Sequence, residues 1–295
     1  MAGKAPLFEV ELVGVKKEMK LNNGLFSVHT DRQIKDNKKT DLVFIPALFG
    51  DMQTALAKNK ALVPWIKEQY DNGAEVASLC VGAFLLASTG LLNGKKCSTH
   101  WGFQNEFREM YPEVQLVDGS IVTEEKRIYS SGGANSYWNL LLHLVEKYTN
   151  RETAILASKY FAIDIDRDSQ SAFAMFKGQK DHKDKAILKA QEYIEKNIHE
   201  RIMIDELAAV ATMGRRSFER RFRQATNNSV LEYIQRVKIE AAKRQFETSR
   251  KNINEVMYDI GYTDTKAFRD LFKKITGLTP VEYRNKYNKQ PVLSG

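Results

Sequence analysis

Two stretches of this chain repeat each other. SFERRFRQATNNSVLEY (217–233) and AFRDLFKKITGLTPVEY (267–283) align at an offset of 50 residues. Phe218 matches Phe268, Phe222 matches Phe272, Thr226 matches Thr276, and Glu232-Tyr233 match Glu282-Tyr283. A duplication this short restricts each copy to one supersecondary unit, repeated and packed on its neighbour. The Phe pair of each copy stands at i, i+4, so both rings point from one helical face into a core.

A short amphipathic helix precedes each copy. IDELAAVA (204–211) leads into TMG, and INEVMYDI (253–260) leads into GYTD. Asp205 suits a helix N-cap, and Thr279-Pro280 suits a helix start with Thr as cap and Pro in the first turn. Gly214 and Gly261 fall where the chain must turn sharply, and glycine permits a positive φ there. Helix, tight turn and second helix make up the helix-turn-helix layout. DKAILKAQEYIEKNIHE (184–200) reads as a leading helix, and SVLEYIQRVKIEAAKRQFETS (229–249) as a long helix joining the two copies.

A helix lying in the major groove presents the exposed side chains of its N-terminal turns to base edges. In the first copy these are Arg215, Arg216, Ser217, Glu219 and Arg220. In the second they are Thr265, Lys266, Arg269 and Asp270. Arg and Lys donate to guanine, and Glu or Asp accept from cytosine. Lys273 and Lys274 lie further along and suit phosphates, which add affinity without sequence information. For any one of these charges the alternative is a solvated helix face. Charge distribution alone leaves both readings open, and the duplicated setting favours the first. Residues 1–165 hold 19 Lys+Arg against 19 Asp+Glu, whereas residues 166–295 hold 26 against 18. The net charge of +8 therefore belongs to the back of the chain, as in a polyanion reader joined to a separate neutral module.

Residues 184–287 resemble the AraC/XylS-type DNA-binding domain, through the stretch GYTDTKAFRDLFKKITGLTPVEYR (261–284). The resemblance implies two helix-turn-helix units whose second helices enter successive major grooves of double-stranded DNA. Gly214 stands where that family usually has Ser, so the first recognition helix is expected to lack a side-chain cap. Asp270 stands where many relatives carry Arg.

The front half alternates strand and helix patterns. DLVFIPALF (41–49) reads as a buried strand, and AEVASL (74–79) and IYSSGG (128–133) read as further strands, the last running into a glycine corner. ALVPWIKEQYDNG (61–73), VGAFLLASTGLL (81–92) and NSYWNLLLHLVEKY (135–148) read as helices. Such alternation predicts a parallel sheet covered on both faces, with ligands at the carboxyl ends of strands. Cys80 and Ser130–Ala134 fall at such ends. The whole is expected to be an α/β, flavodoxin-like parallel-sheet domain followed by an all-α domain with two helix-turn-helix units. The expected boundaries are 1–165 for the front domain, 166–183 for a linker, 184–288 for the helical domain and 289–295 for a tail.

The strand-to-helix corner at Cys80 resembles the elbow of the class I glutamine-amidotransferase-like superfamily, which includes PfpI-type proteases. The chain as a whole resembles the GlxA-type regulators, which fuse such a domain to an AraC-type one. SLCVGAFLLASTGLLNGKKCSTHW (78–101) and DRDSQSAF (166–173) carry that likeness. It implies a homodimer and a small-molecule effector, an amino acid or an amine, held by Cys80, Val81, His100, Trp101, Ser131 and Gly132. Val81 occupies the position where the proteases have His. The family's first strand and helix have no counterpart here, since APLFEVELVG looks like the second strand. Met1 is then an internal start or the chain is shortened, and an exposed apolar sheet edge is expected.

Cys80 retains three readings: a buried inert thiol, a pocket residue touching an effector, or a nucleophile. Three functions follow. The chain is a ligand-responsive DNA-binding transcription regulator, a cysteine hydrolase or amidotransferase with a DNA-binding tail, or a constitutive DNA binder whose front domain dimerises. The first is the expectation, with no catalysis and no cofactor. Five histidines and two cysteines show no metal-ligand spacing. The longest apolar run, Val76–Leu92, is interrupted by Ser78, Gly82, Ser88 and Gly90 and does not suit a membrane span. Two cysteines without an export pattern suit a reducing cytoplasm.

Overall fold

The computed structural model describes residues 6–21, 24–36, 38–165 and 167–288. The expected tail at 289–295 and Asp166 lie outside them. The chain divides into two compact units, Met1–Asp168 and Ser169–Gly295.

The front unit opens with short strands. β1 (Val13–Gly14), β2 (Glu18–Leu21), β3 (Phe26–His29) and β4 (Arg32–Gln33) form two small ribbons, β1 parallel to β4 and β2 antiparallel to β3. The stretch APLFEVELVG was expected to be a strand, and only its last two residues pair with a neighbour. Leu7, Val10 and Leu12 stay exposed. Alternation specifies two faces but supplies no partner edge; among the described residues no strand pairs with residues 7–11, while the Leu12 carbonyl accepts from the Asp31 and Arg32 amides.

Next come β5 (Leu42–Ile45), α1 (Met52–Asn59), α2 (Leu62–Asp71), β6 (Glu75–Leu79) and α3 (Ala83–Ser88). They are followed by β7 (Lys96–Cys97), α4 (Gln104–Met110), β8 (Gln115–Leu116), β9 (Val122–Glu125) and β10 (Ile128–Ser131). Helices α5 (Tyr137–Tyr148) and α6 (Arg151–Tyr160) close the unit. The main sheet runs β5-β6-β10-β9. β5, β6 and β10 are parallel, and β9 is antiparallel to β10. Val76 pairs with both Val43 and Ile128, and Ala77 with Tyr129. The side-chain period of two then separates the layers. Val43, Ile45, Val76 and Ile128 join α1–α4 in one core, whereas Ala77 and Tyr129 meet Leu140 and Leu144 of α5 on the other face. β5 stands at an edge of the sheet, with Phe44 partly exposed.

The helical unit contains α7 (Lys185–Lys196), α8 (Ile204–Val210), α9 (Arg215–Thr226), α10 (Val230–Thr248), α11 (Ile253–Asp259), α12 (Thr265–Thr276) and α13 (Pro280–Tyr287). It has two separate cores. Phe218 and Phe222 sit in the first with Leu207, Ile187 and Tyr233. Phe268 and Phe272 sit in the second with Val256, Phe246 and Tyr283. α10 contributes to both, with Val230, Tyr233 and Ile234 to the first and Ile239, Ala242 and Phe246 to the second.

The stretch expected as a linker is not loose where it can be followed into this unit. Residues from Ser169 onward fold along the helices, with one turn of 3-10 helix at Ser171–Phe173. The amide of Gln191 donates to the Gln179 carbonyl at 2.8 Å, and Phe176 packs edge-on to Tyr233. Serine- and charge-rich composition resembles a tether, but Phe176 packs against the first core and gives it an apolar anchor.

Candidate nucleic-acid interface and elbow

The two helix pairs are built alike and capped differently. α12 begins at Asp264, whose carboxylate accepts from the Ala267 amide at 3.0 Å. α9 begins at Gly214, which offers no side chain to its orphan amides, as expected. Gly214 does not make the corner, however. Its φ is −69° in extended backbone, and the left-handed residue is Thr212, with φ of 54°. In the second copy the corner is Gly261, with φ of 73°. Asp205 is not the cap of α8 either. Met203 holds that position without a side-chain bond, and Asp205 in the first turn pairs with Arg215 at 3.1 Å.

Burying the Phe pairs fixes which faces of α9 and α12 stay open. All four rings are fully buried. Arg215, Arg216, Ser217 and Arg220 are exposed, and Glu219 is half-buried. On α12, Lys266, Arg269, Asp270, Lys273 and Lys274 are exposed and Thr265 is half-buried. The exposed cations are not equivalent. Arg215 is held between Asp205 and Glu219, the latter at 3.5 Å. Arg221 is tied to Asp184, the cap of α7, at 2.8 Å. That contact holds the Asp184 carboxyl below its ordinary range against the opposing effect of desolvation. Among the described residues, Arg216 and Arg220 have no carboxylate partner, so their guanidinium groups are available to a ligand.

Sequence reasoning passed over two lysines of α10. Lys238 and Lys243 are both nearly fully buried. The Lys238 ammonium donates to the Glu200 carbonyl at 2.8 Å, and that of Lys243 to Ala174 O at 2.6 Å and Glu240 Oε2 at 2.7 Å. Their signal is positional: each stands next to a buried apolar residue of α10, Lys238 beside Ile239 and Lys243 beside Ala242.

In the front unit, β6 delivers Cys80 to a corner with φ of 55°. A non-glycine residue rarely takes that conformation, and it is held on both sides. The Cys80 amide donates to Ser131 Oγ at 3.4 Å, and the Thr99 hydroxyl donates to the Cys80 carbonyl at 3.1 Å. Gly82 lets the next turn approach β5, since a methyl group there would lie 2.5 Å from the Pro46 carbonyl. Behind the corner, Ser98, Thr99, Ser130 and Ser131 are buried, with the Ser98 amide donating to Ser130 Oγ at 2.7 Å.

The fold therefore brings Cys80, Ser131 and Thr99 together, and His100 follows Thr99 in the chain. Cys80, His100 and Trp101 are half-buried, whereas Val81, Ser131 and Gly132 are buried. The Gly132 amide is already spent on the Ile121 carbonyl at 2.8 Å. His100 caps a single turn, its Nδ1 accepting from the Gly102 amide at 3.1 Å, with its ring 5.2 Å from that of Trp101. Burial pushes the Cys80 thiol up and the His100 imidazole down. Both shifts favour neutral groups, the opposite of a thiolate-imidazolium pair. Among the described residues there is no group of three His, Cys, Asp or Glu side chains that suits a metal, and no helix is long and apolar enough to cross a membrane.

Comparison with known proteins agrees with this division. Residues 4–147 match the DJ-1/PfpI family, and residues 207–286 match a helix-turn-helix domain. GbdR of Pseudomonas aeruginosa is 26% identical over 75% of this chain and 60% of its own length. CdhR of the same species is 24% identical over 89% of this chain and 77% of its own. GlxA of Rhizobium meliloti is 22% identical over 72% and 66%. Each is named an HTH-type transcriptional regulator. This chain thus spans less than two thirds of the length of GbdR. The class is a flavodoxin-like DJ-1/PfpI domain in front of an AraC-type helical domain. Within that class, the chain fits the GlxA-type regulators.

Proposed function

We propose that this chain is a DNA-binding transcription regulator that reads double-stranded DNA through α9 and α12 and answers to a small amine or amino acid at the Cys80 corner. The observation that carries the first half is the matched pair of short helices, each with its aromatic face buried and its cationic N-terminal face open. Arg216 and Arg220 are the base readers of the first copy, because they alone among its candidate arginines are uncommitted. Arg215 and Glu219 hold each other. In the second copy Lys266, Arg269 and Asp270 read, Thr265 supports them, and Lys273 meets phosphate. The regulator works in the cytoplasm as a homodimer.

The effector site is Cys80, His100 and Trp101, the half-buried members of the corner, with Val81, Ser131 and Gly132 as its buried floor. A tryptophan face attracts an ammonium group. Catalysis is not part of this reading. The Cys80 thiol is held up by burial, and the Nδ1 of His100 is already occupied. The left-handed corner is what a nucleophile would also need, so the hydrolase reading has a definite test. Regulation that survives Cys80→Ala excludes thiol chemistry.

Gel-shift titration of the full chain against its own promoter DNA at low ionic strength tests the DNA reading. Arg220→Ala is expected to weaken specific binding by about 1–3 kcal/mol and to relax preference at one base pair. A uniform loss across all sequences reassigns Arg220 to a phosphate. Calorimetry with amino acids and methylated amines tests the effector, and an affinity unchanged by Trp101→Ala rejects the corner as its site.

A further inference from the structure

Two recognition helices read one stretch of DNA only if the distance and angle between them are held. The two cores of the helical unit do not merge, so α10 alone would leave a hinge between the copies. The segment from Ser169 to Gln179 crosses that hinge.

Its first part lies on the second copy. The Tyr287 hydroxyl donates to the Ala172 carbonyl at 3.2 Å, and the Lys286 ammonium sits 4.7 Å above the Phe173 ring. The turn at Ser169 and Ser171 lies beside Gly277, the left-handed cap that ends α12. Its middle is fastened to α10 beside the second core. There Lys243 donates to Ala174 O while Glu240 Oε2 accepts from both Lys243 and the Phe176 amide, the latter at 3.1 Å. Its last part lies on the first copy. Phe176 meets Tyr233, Gly178 abuts the Tyr233 hydroxyl, and Gln179 accepts from Gln191 and Asn228.

A second clasp closes the far side. Lys238, five residues before Lys243, points about 140° away around the helix. It joins the Glu200 carbonyl of the first copy to the Tyr262 ring of the second, 5.5 Å away. Two buried ammonium groups, each bonded to a main-chain carbonyl, thus brace α10 on opposite flanks. Leaving a buried ammonium without its acceptor is costly, so neither clasp opens freely.

We infer that residues 169–179, locked by Glu240 and Lys243, set the separation of α9 and α12 and thereby the spacing of DNA elements the protein accepts. These are positioning residues and touch no base. The inference rests on the reading that both helices enter DNA. It also gives the segment a role other than that of a tether: a shift in its seating would change the register between the two readers.

The test uses the full chain and a random-sequence duplex pool long enough for two helical turns. Rounds of selection with the wild type are expected to yield, for each protomer, two elements at one spacing, near a turn of about 10.5 base pairs. Inserting a few base pairs between them should weaken the wild type by roughly 10-fold or more, because one set of base contacts is lost. Phe176→Ala and Lys243→Met should keep affinity for each element alone, bind the original spacing more weakly, and lose far less on insertion. Equal intolerance of insertion in these variants overturns the inference while leaving the two-helix reading intact. If scrambling one element does not affect the wild type, that reading falls and the inference with it. Helix content and melting are followed in parallel, and Glu240→Gln replaces any variant that fails to fold.

Discussion

Cys80 and Gly82 are two residues apart and are constrained for different reasons. Cys80 stands in a conformation that side chains avoid, held by Ser131 and Thr99. Gly82 has ordinary backbone and no room. Gly82→Ala should therefore destabilise the front unit by about 1–3 kcal/mol, as added atoms do in a tight core, and denaturant titration of near-ultraviolet signal would measure it. His100 gives a pH-dependent expectation. Burial lowers its folded pKa, so as pH falls through the ordinary imidazole range the unfolded chain takes the proton first. Its contribution is complete above that range and lost as the pH drops towards the folded value. The fall in melting temperature between about pH 7.5 and about pH 5.5 should shrink in His100→Asn, which retains an acceptor for the Gly102 amide. An unchanged fall would show that His100 does not titrate in this way.

The helices differ in how they are begun. α10, α11 and α13 have full capping boxes, and α12 has Asp264, whereas α9 has only Gly214. Asp264→Ala should cost about 1 kcal/mol, and Gly214→Ser should add a few tenths, both read from melting of the helical unit. Elements of this kind were the legible part of the sequence. All seven helices among the described residues of the helical unit follow from the aromatic repeat, Thr279-Pro280 and the apolar periodicity, within a few residues. The three parallel strands were legible because each precedes a glycine or cysteine corner and two of them, β5 and β6, are mostly apolar. β9 was not, since Val122–Glu125 is polar and shows its role only once paired with β10. β2 and β3 are exposed along almost their whole length and carry no buried face to announce them. At the candidate interface, the sequence picked out the exposed charges but not their pairing. Asp205 and Arg215 lie ten residues apart across a turn, and that separation depends on the corner at Thr212.

For the molecule as a whole, the charge excess lies in the helical half, and DNA binding should depend steeply on salt. Lys273→Ala is expected to lower the slope of log affinity against log salt by about 1 without changing sequence preference. A change in preference with an unchanged slope would make Lys273 a base reader. The division into one sheet-centred unit and one helical unit was visible as a change in pattern and charge. The seating of residues 169–179 was not, because hydroxyls and charges there resemble those of a free connection until Lys243 and Glu240 are seen beneath them.

Gly261 and Thr212 stand at matching corners of the duplication, and they have diverged in what they permit. A side chain on Gly261 would strike the His199 carbonyl as well as adopt a disfavoured backbone, whereas Thr212 bears its side chain in the same left-handed region. The two copies of the motif are thus not exchangeable parts. A chimaera carrying the first corner in the second location would collide with its own neighbour at the His199 carbonyl.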